Sequence, residues 1–174
     1  WHERVSGTYS FANGQFTPSA TQWRGSHSVN AGGAWIVGDR TTGNLYKIDP
    51  TNFTEGGSTF EWAIESGQLE QFPSRIAMTD IIAEMALDVS AEASNPQVNI
   101  SWSKDGGENW ASPLQRPLAP LSSLSTNRKR FPPRVNRVGI STQYGLKARF
   151  SMTAAVGFSF MGAVTSEVKL GAAA

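Results

Sequence analysis

The 174-residue chain contains no cysteine, which excludes disulfide frameworks and thiolate metal sites together. Histidine is nearly as scarce: His2 and His27 are the only imidazoles, too few for a histidine-based zinc site. No apolar run approaches the roughly 18 residues of a helical membrane span, and no charged-then-apolar leader opens the chain. It begins at Trp1, inside what reads as a strand, so a fragment or a processed product is expected. Helical periodicity is missing as well; no segment reads as a helix. Nothing in this pattern calls for a cofactor, a metal, a membrane partner or an enzyme's catalytic residues.

What is present suits sheets and turns. Gly numbers 17, Pro 9 and Trp 6, and a hydrophobic share of 39% against 17% charged places the chain among folded proteins. The net charge of +1 conceals a division. Residues 1–95 hold 11 acids and 5 Lys/Arg, whereas residues 96–174 hold 3 acids and 10 Lys/Arg. Two arrangements account for this: acidic and basic strands paired within one sheet, or an acidic face of one subunit meeting a basic face of the next.

Strand signals recur along the chain. Residues 1–17 alternate weakly and turn at Asn13-Gly14, and a second strand is expected over Trp23 to Ala31 before Gly32-Gly33. The clearest hairpin follows, with Ala34 to Gly38 leading out, Asp39 to Gly43 turning, and Asn44 to Asp49 returning until Pro50 stops it. Ser58 to Ile64 reads as a further strand. Thr79 to Glu92 tests helix against strand, because Asp80, Glu84, Asp88 and Glu92 recur every fourth residue. On a helix these carboxylates would repel along one face, each pair costing roughly 0.2–0.5 kcal/mol. A strand instead puts Ile81, Ala83, Met85, Leu87 and Val89 on one side and Asp80, Ile82, Glu84, Ala86 and Asp88 on the other. Strand is therefore expected. Val98/Ile100/Trp102, Val138/Ile140, Leu146/Ala148/Phe150/Met152 and Phe158/Phe160/Val164 supply the remaining alternating faces. Strands at this spacing point to a β-sandwich or a propeller-like sheet. Pro117 to Pro133 reads as a long exposed loop.

The sharpest local pattern is Ser103-Lys104-Asp105-Gly106-Gly107-Glu108-Asn109-Trp110, which resembles the Asp-box turn of sialidases and many other β proteins. Asp105 can accept hydrogen bonds from turn amides, the glycines permit unusual φ, and Trp110 can fold back over the turn. Ser103, Asp105, Gly107 and Trp110 are thus expected to form a structural turn. A sialidase would want several such boxes, an arginine cluster and a Tyr–Glu pair. This chain has one box, three tyrosines (Tyr9, Tyr46 and Tyr144) and no arginine-bearing entry motif, so a sialidase-like or carbohydrate-binding module is the alternative reading. Arg128, Lys129, Arg130, Arg134 and Arg137 form a basic cluster suited to a solvated loop, a subunit contact or non-specific contact with DNA phosphates. Gly32-Gly33 and Gly56-Gly57 lack a phosphate-loop context and read as turns; the Asn52 and Asn99 sequons have no sign of secretion beside them.

Seven short motifs follow in order: Trp1-His2-Glu3-Arg4, Trp23-Arg24, Val37-Gly38-Asp39, Gly43-Asn44-Leu45-Tyr46, Asn95-Pro96-Gln97-Val98, Trp102 to Gly107 with Trp110, and Gly162-Ala163. Their order and spacing resemble the carboxy-terminal part of the packaged-DNA stabilisation protein of short-tailed bacteriophages, also called the tail hub or nozzle. The resemblance implies a virion component in the phage tail, a homo-oligomeric and hexameric ring below the portal. That ring would extend the DNA channel, help retain the genome and contact other tail and portal-adaptor proteins. It further implies β-propeller blade material over residues 1–72 and an antiparallel β-sandwich-like module over 73–174, with no catalytic residues.

Overall fold

Short alternating runs separated by Gly, Pro and Asn should pair with their neighbours in sequence, and in the first half of the chain they do. The computed structural model describes residues 6–12, 15–21, 25–40, 42–87, 95–118 and 132–173. The chain divides into two compact units, Trp1–Glu61 with Thr153–Ala155 and Trp62–Met152 with Val156–Ala174. In the first, β1 (Ser6–Ala12) and β2 (Gln15–Thr21) form a two-stranded antiparallel ribbon with Ala12 opposite Gln15. The Asn13-Gly14 turn lies outside the described residues. β3 (Gly25–Ala31), β4 (Ala34–Asp39) and β5 (Leu45–Lys47) make a three-stranded antiparallel meander, β3 and β4 being joined by the two-residue turn Gly32-Gly33.

The second unit holds two four-stranded sheets. One has the order β6 (Trp62–Glu65), β11 (Lys147–Met152), β8 (Gln97–Ser103), β9 (Leu114–Pro117). The other is organised on β7 (Ser74–Leu87), a 14-residue strand that serves three antiparallel partners. Along one edge β10 (Arg134–Ile140) registers with residues 77–82. Along the other, β12 (Phe158–Val164) covers residues 82–87 and β13 (Val168–Ala173) covers 74–78. The strand reading of Thr79 onward is thus realised up to Leu87, and Ile81, Ala83, Met85 and Leu87 are all core residues.

Val98 and Ile100 from β8, Leu146, Phe150 and Met152 from β11, and Val135 and Val138 from β10 complete this core. Val135 and Val138 are three residues apart, which in a regular strand would set them on opposite faces. A register shift between Asn136 and Gly139, with Arg137 at φ 61°, inserts one residue and turns both valines inward. The same shift leaves Ile140 60% exposed, where alternation from Val138 expects burial. A second bulge between Phe160 and Gly162 likewise leaves Val164 64% exposed. Trp62 meets Phe158 edge-on with centroids 4.8 Å apart, and Phe150 lies 5.1 Å from Phe160, so aromatic contacts tie the two sheets across one side. Opposite, Arg116 Nε donates to the Arg134 carbonyl at 2.8 Å, reaching from β9 to β10.

All-β holds, but the finer architecture expected from the sequence is corrected. Residues 1–72 do not form a propeller blade: the first unit has an open three-stranded meander and a ribbon, and no sheet among the described residues closes on itself. Residues 73–174 do not make a regular sandwich either. Every partner of β7 carries a register shift, and β12 and β13 share a single edge of it, so the uniform alternation of two aligned sheets is broken. Most of the segment from Pro117 to Pro133, expected as an exposed loop, lies outside the described residues; at its ends Pro132 is exposed while Leu118 and Pro133 are buried, and Ala83 N donates to Pro133 O at 3.0 Å.

Candidate functional site

Ser103, Asp105, Gly107 and Trp110, the residues of the Asp-box-like pattern, converge on the end of β8. The Ser103 hydroxyl donates to Asp105 Oδ1 at 2.6 Å and accepts from the amides of Asp105 (3.3 Å) and Gly107 (2.8 Å). Asp105 then accepts from the Asn109 amide at 2.9 Å and from Asn109 Nδ2 at 2.7 Å. A bridge between Ser103 and Trp110 closes the turn, and Gly106 and Gly107 supply φ of 76° and 111° that an L side chain adopts only under strain. Beyond its own strands, the turn grips the loop before β11: Thr142 N donates to Lys104 O at 2.7 Å and Gly106 N to Gly145 O at 3.3 Å. Gln68 Nε2 reaches the same loop at Tyr144 O, 2.6 Å away. Three loops therefore meet at one junction.

Partial burial works against the charge on Asp105, but the Asn109 amide, the Ser103 hydroxyl and the Asn109 side chain outweigh it and bring the pKa down to about 2. A carboxylate so saturated is a poor proton donor near neutrality, which favours a structural role over general acid catalysis. Because the folded pKa lies below the ordinary 3.8, the stabilisation from this group is complete above pH 3.8 and is lost as pH falls toward 2. A carbon-detected NMR titration should show Asp105 ionised down to about pH 2, well after exposed carboxylates have protonated; a midpoint near 3.8 would contradict this hydrogen-bonded arrangement.

The basic cluster does not converge. Arg128, Lys129 and Arg130 lie outside the described residues. Arg137 sits exposed at the bulge of β10. Arg134, expected as a DNA or subunit contact, is ion-paired with Asp80. Asp80, expected on the side of the strand opposite the apolar face of Ile81 and Met85, is fully buried. It accepts from the Ser166 amide at 2.7 Å, the Ser166 hydroxyl at 2.6 Å and the Thr165 hydroxyl at 3.2 Å. The Ser166 hydroxyl, then its amide, hold the Asp80 pKa below the ordinary value against desolvation, with Thr165 and Arg134 adding to them. The turn between β12 and β13 lies beside residues 79–81 because β12 and β13 occupy the same edge of β7 in tandem. Spacing of Asp80 in the sequence gives no hint of this, since its partners are 85 and 86 residues away.

Each unit also carries a cavity. In the second unit, one of about 430 Å³ is lined mainly by Leu69, Met78, Ile81, Leu146 and Val164, an apolar opening at the end of the core. In the first, a cleft of about 390 Å³ is bordered by Tyr46, Phe53 and Phe60 and by Asp39, Asp49 and Glu55, with Lys47 the only cation among the described residues of its lining. Consecutive side-chain turns shape its rim. Asp39 accepts from the Thr42 hydroxyl (2.7 Å), Asp49 from the Thr51 amide and hydroxyl (2.9 and 2.7 Å), and Asn52 from those of Thr54 (3.0 and 2.7 Å). The Thr51 hydroxyl, followed by its amide, lowers the Asp49 pKa. Asp49-Pro50-Thr51 and Asn52-Phe53-Thr54 share one two-residue spacing, a signal for this rim that the strand and turn patterns above did not include. Among the described residues no group of three or more His, Asp or Glu is placed to hold a metal ion, and no helix is long and apolar enough to cross a membrane.

A scan of protein-family models finds none that matches the chain, and a search of curated proteins finds no match.

Proposed function

We propose that the chain is a structural subunit of a short-tailed phage tail, assembling with its copies into a ring beneath the portal that extends the DNA channel and helps retain the packaged genome. The order of seven motifs along the sequence supports the phage-tail identity. The structural role is carried by one observation: among the described residues the carboxylates with lowered pKa, Asp49, Asp80 and Asp105, each accept hydrogen bonds that close a turn or anchor a strand. Groups tied in this way brace a shape rather than transfer protons.

The division of charge supports assembly. With acids concentrated in residues 1–95 and Lys/Arg in 96–174, a head-to-tail contact between copies pairs opposite signs, and such a contact closes into a ring when the rotation between copies permits it. Native mass measurement on the intact full-length protein should give a closed oligomer, six copies being the expected number. A strict monomer at micromolar concentration contradicts the reading.

A further inference from the structure

We propose that the cleft of the first unit is a receptor for the basic segment Arg128-Lys129-Arg130 of a neighbouring copy of this chain. The choice of copy rests on the ring reading above; the chemistry of the cleft does not. Three aromatic residues, Tyr46, Phe53 and Phe60, border the cleft, and aromatic faces attract guanidinium and ammonium groups. Among the described residues the lining carries Asp49 and Glu55, with the buried and already bonded Asp39 beside them, against Lys47, so its charge favours a positive ligand over an anionic sugar such as a sialic acid. Asp49 keeps its charge below the usual carboxylate range because Thr51 holds it, and both Thr51 bonds land on Oδ1.

The size and spacing of the groups narrow the ligand further. Among the described residues these carboxylates form no group of three placed to hold a metal ion. A volume of about 390 Å³ instead suits a long cationic side chain, whose methylenes lie along Ile48 and Phe53 while its head meets the acids. Within the sequence the densest run of such side chains is Arg128-Lys129-Arg130. The next cation, Arg134, is already paired with Asp80 and is not available for this contact. Cleft and segment lie in the oppositely charged halves of the chain, the relation that a head-to-tail contact between identical subunits requires.

The test is a titration of the peptide Ser125–Pro133 into the chain, followed by chemical shifts at Tyr46, Phe53 and Glu55. Saturable shifts are expected, weakening with added salt. Glu55→Gln combined with Asp49→Asn, or Phe53→Ala alone, should each weaken binding about tenfold. Asn at position 49 keeps the acceptor for Thr51, so the rim is retained while the charge is removed. Absence of saturable binding, or binding indifferent to those substitutions or to glutamine at 128–130, overturns the assignment whatever the oligomeric state. To identify the donor copy, an E55R chain is mixed with an R128E/R130E chain. A heterodimer that neither variant forms as a homodimer is expected, and its absence overturns the neighbouring-copy assignment. Peptide binding by a strictly monomeric intact protein overturns the ring instead.

Discussion

Asp80→Ala is expected to lower the stability of the second unit by about 3 kcal/mol, the largest effect of a single polar substitution among that unit's described residues. The side chain is fully buried and accepts from the Ser166 amide, the Ser166 hydroxyl, the Thr165 hydroxyl and Arg134. Alanine removes the acceptor and leaves the Ser166 amide with no carboxylate in front of it, and hydrogen bonds to a charged partner are individually worth about 1.5–3 kcal/mol. Arg134 contributes less. Its side chain is 51% exposed, so after Arg134→Ala or after loss of Asp80 the surrounding water replaces much of the pairing. Arg134→Ala is accordingly expected to cost less than about 1 kcal/mol. Urea unfolding with an unchanged slope measures both, and hydrogen exchange at Thr79 and Ser166 localises the change. Equal costs for the two substitutions would mean that the ion pair, and not the anchored turn, dominates. Since the Asp80 pKa is lowered on folding, its contribution is complete above the ordinary carboxylate pKa and is lost as pH falls through the folded value.

Gly145→Ala should be comparably damaging, at about 3 kcal/mol, for a reason that involves no polar group of its own side chain. Gly145 has φ +81°, and a Cβ there would run into the Leu69 carbonyl oxygen while sitting 2.8 Å from Glu70 Cβ. The obstacle is backbone, so no rotamer change relieves it. Yielding would separate the reciprocal Leu69–Leu146 bonds, both 2.8 Å, and loosen the Gly106–Gly145 bond that joins the Ser103–Trp110 turn to this loop. Gly106→Ala is the matched comparison: its φ is +76°, but the nearest atom, Tyr144 O, is 3.0 Å away, so the strain is similar and the clash smaller. The smaller urea midpoint shift is expected for Gly106→Ala. If the two shifts are the same, left-handed strain alone accounts for the cost and the close approach of Leu69 does not matter.

Both substitutions probe contacts distant in sequence, and this marks where reading residues in order succeeds. Local chemistry was legible. Asn, Asp, Ser and Gly at fixed offsets specify the Ser103–Trp110 turn and the Gly32-Gly33 hairpin, because each depends on atoms within a few residues. Period-two patterns on β7, β8 and β11 correctly named Ile81, Met85, Val98, Ile100, Phe150 and Met152 as core. They failed at Ile140 and Val164, because one inserted residue in a bulge inverts every side chain beyond it, and a bulge leaves little trace in composition.

The sequence by itself determined that the chain is built of antiparallel strands and where most of them run, because alternation and turn residues act over a few neighbours. Only the tertiary structure decided that the sheets stay open, that β7 is shared by three partners, and that Asp80 turns inward to hold residues 165–166. The physical reason is the same in each case. Which edge a strand joins, and which buried carboxylate finds donors, depends on segments about 85 residues apart meeting in space, and a pattern of period two carries no information about that meeting.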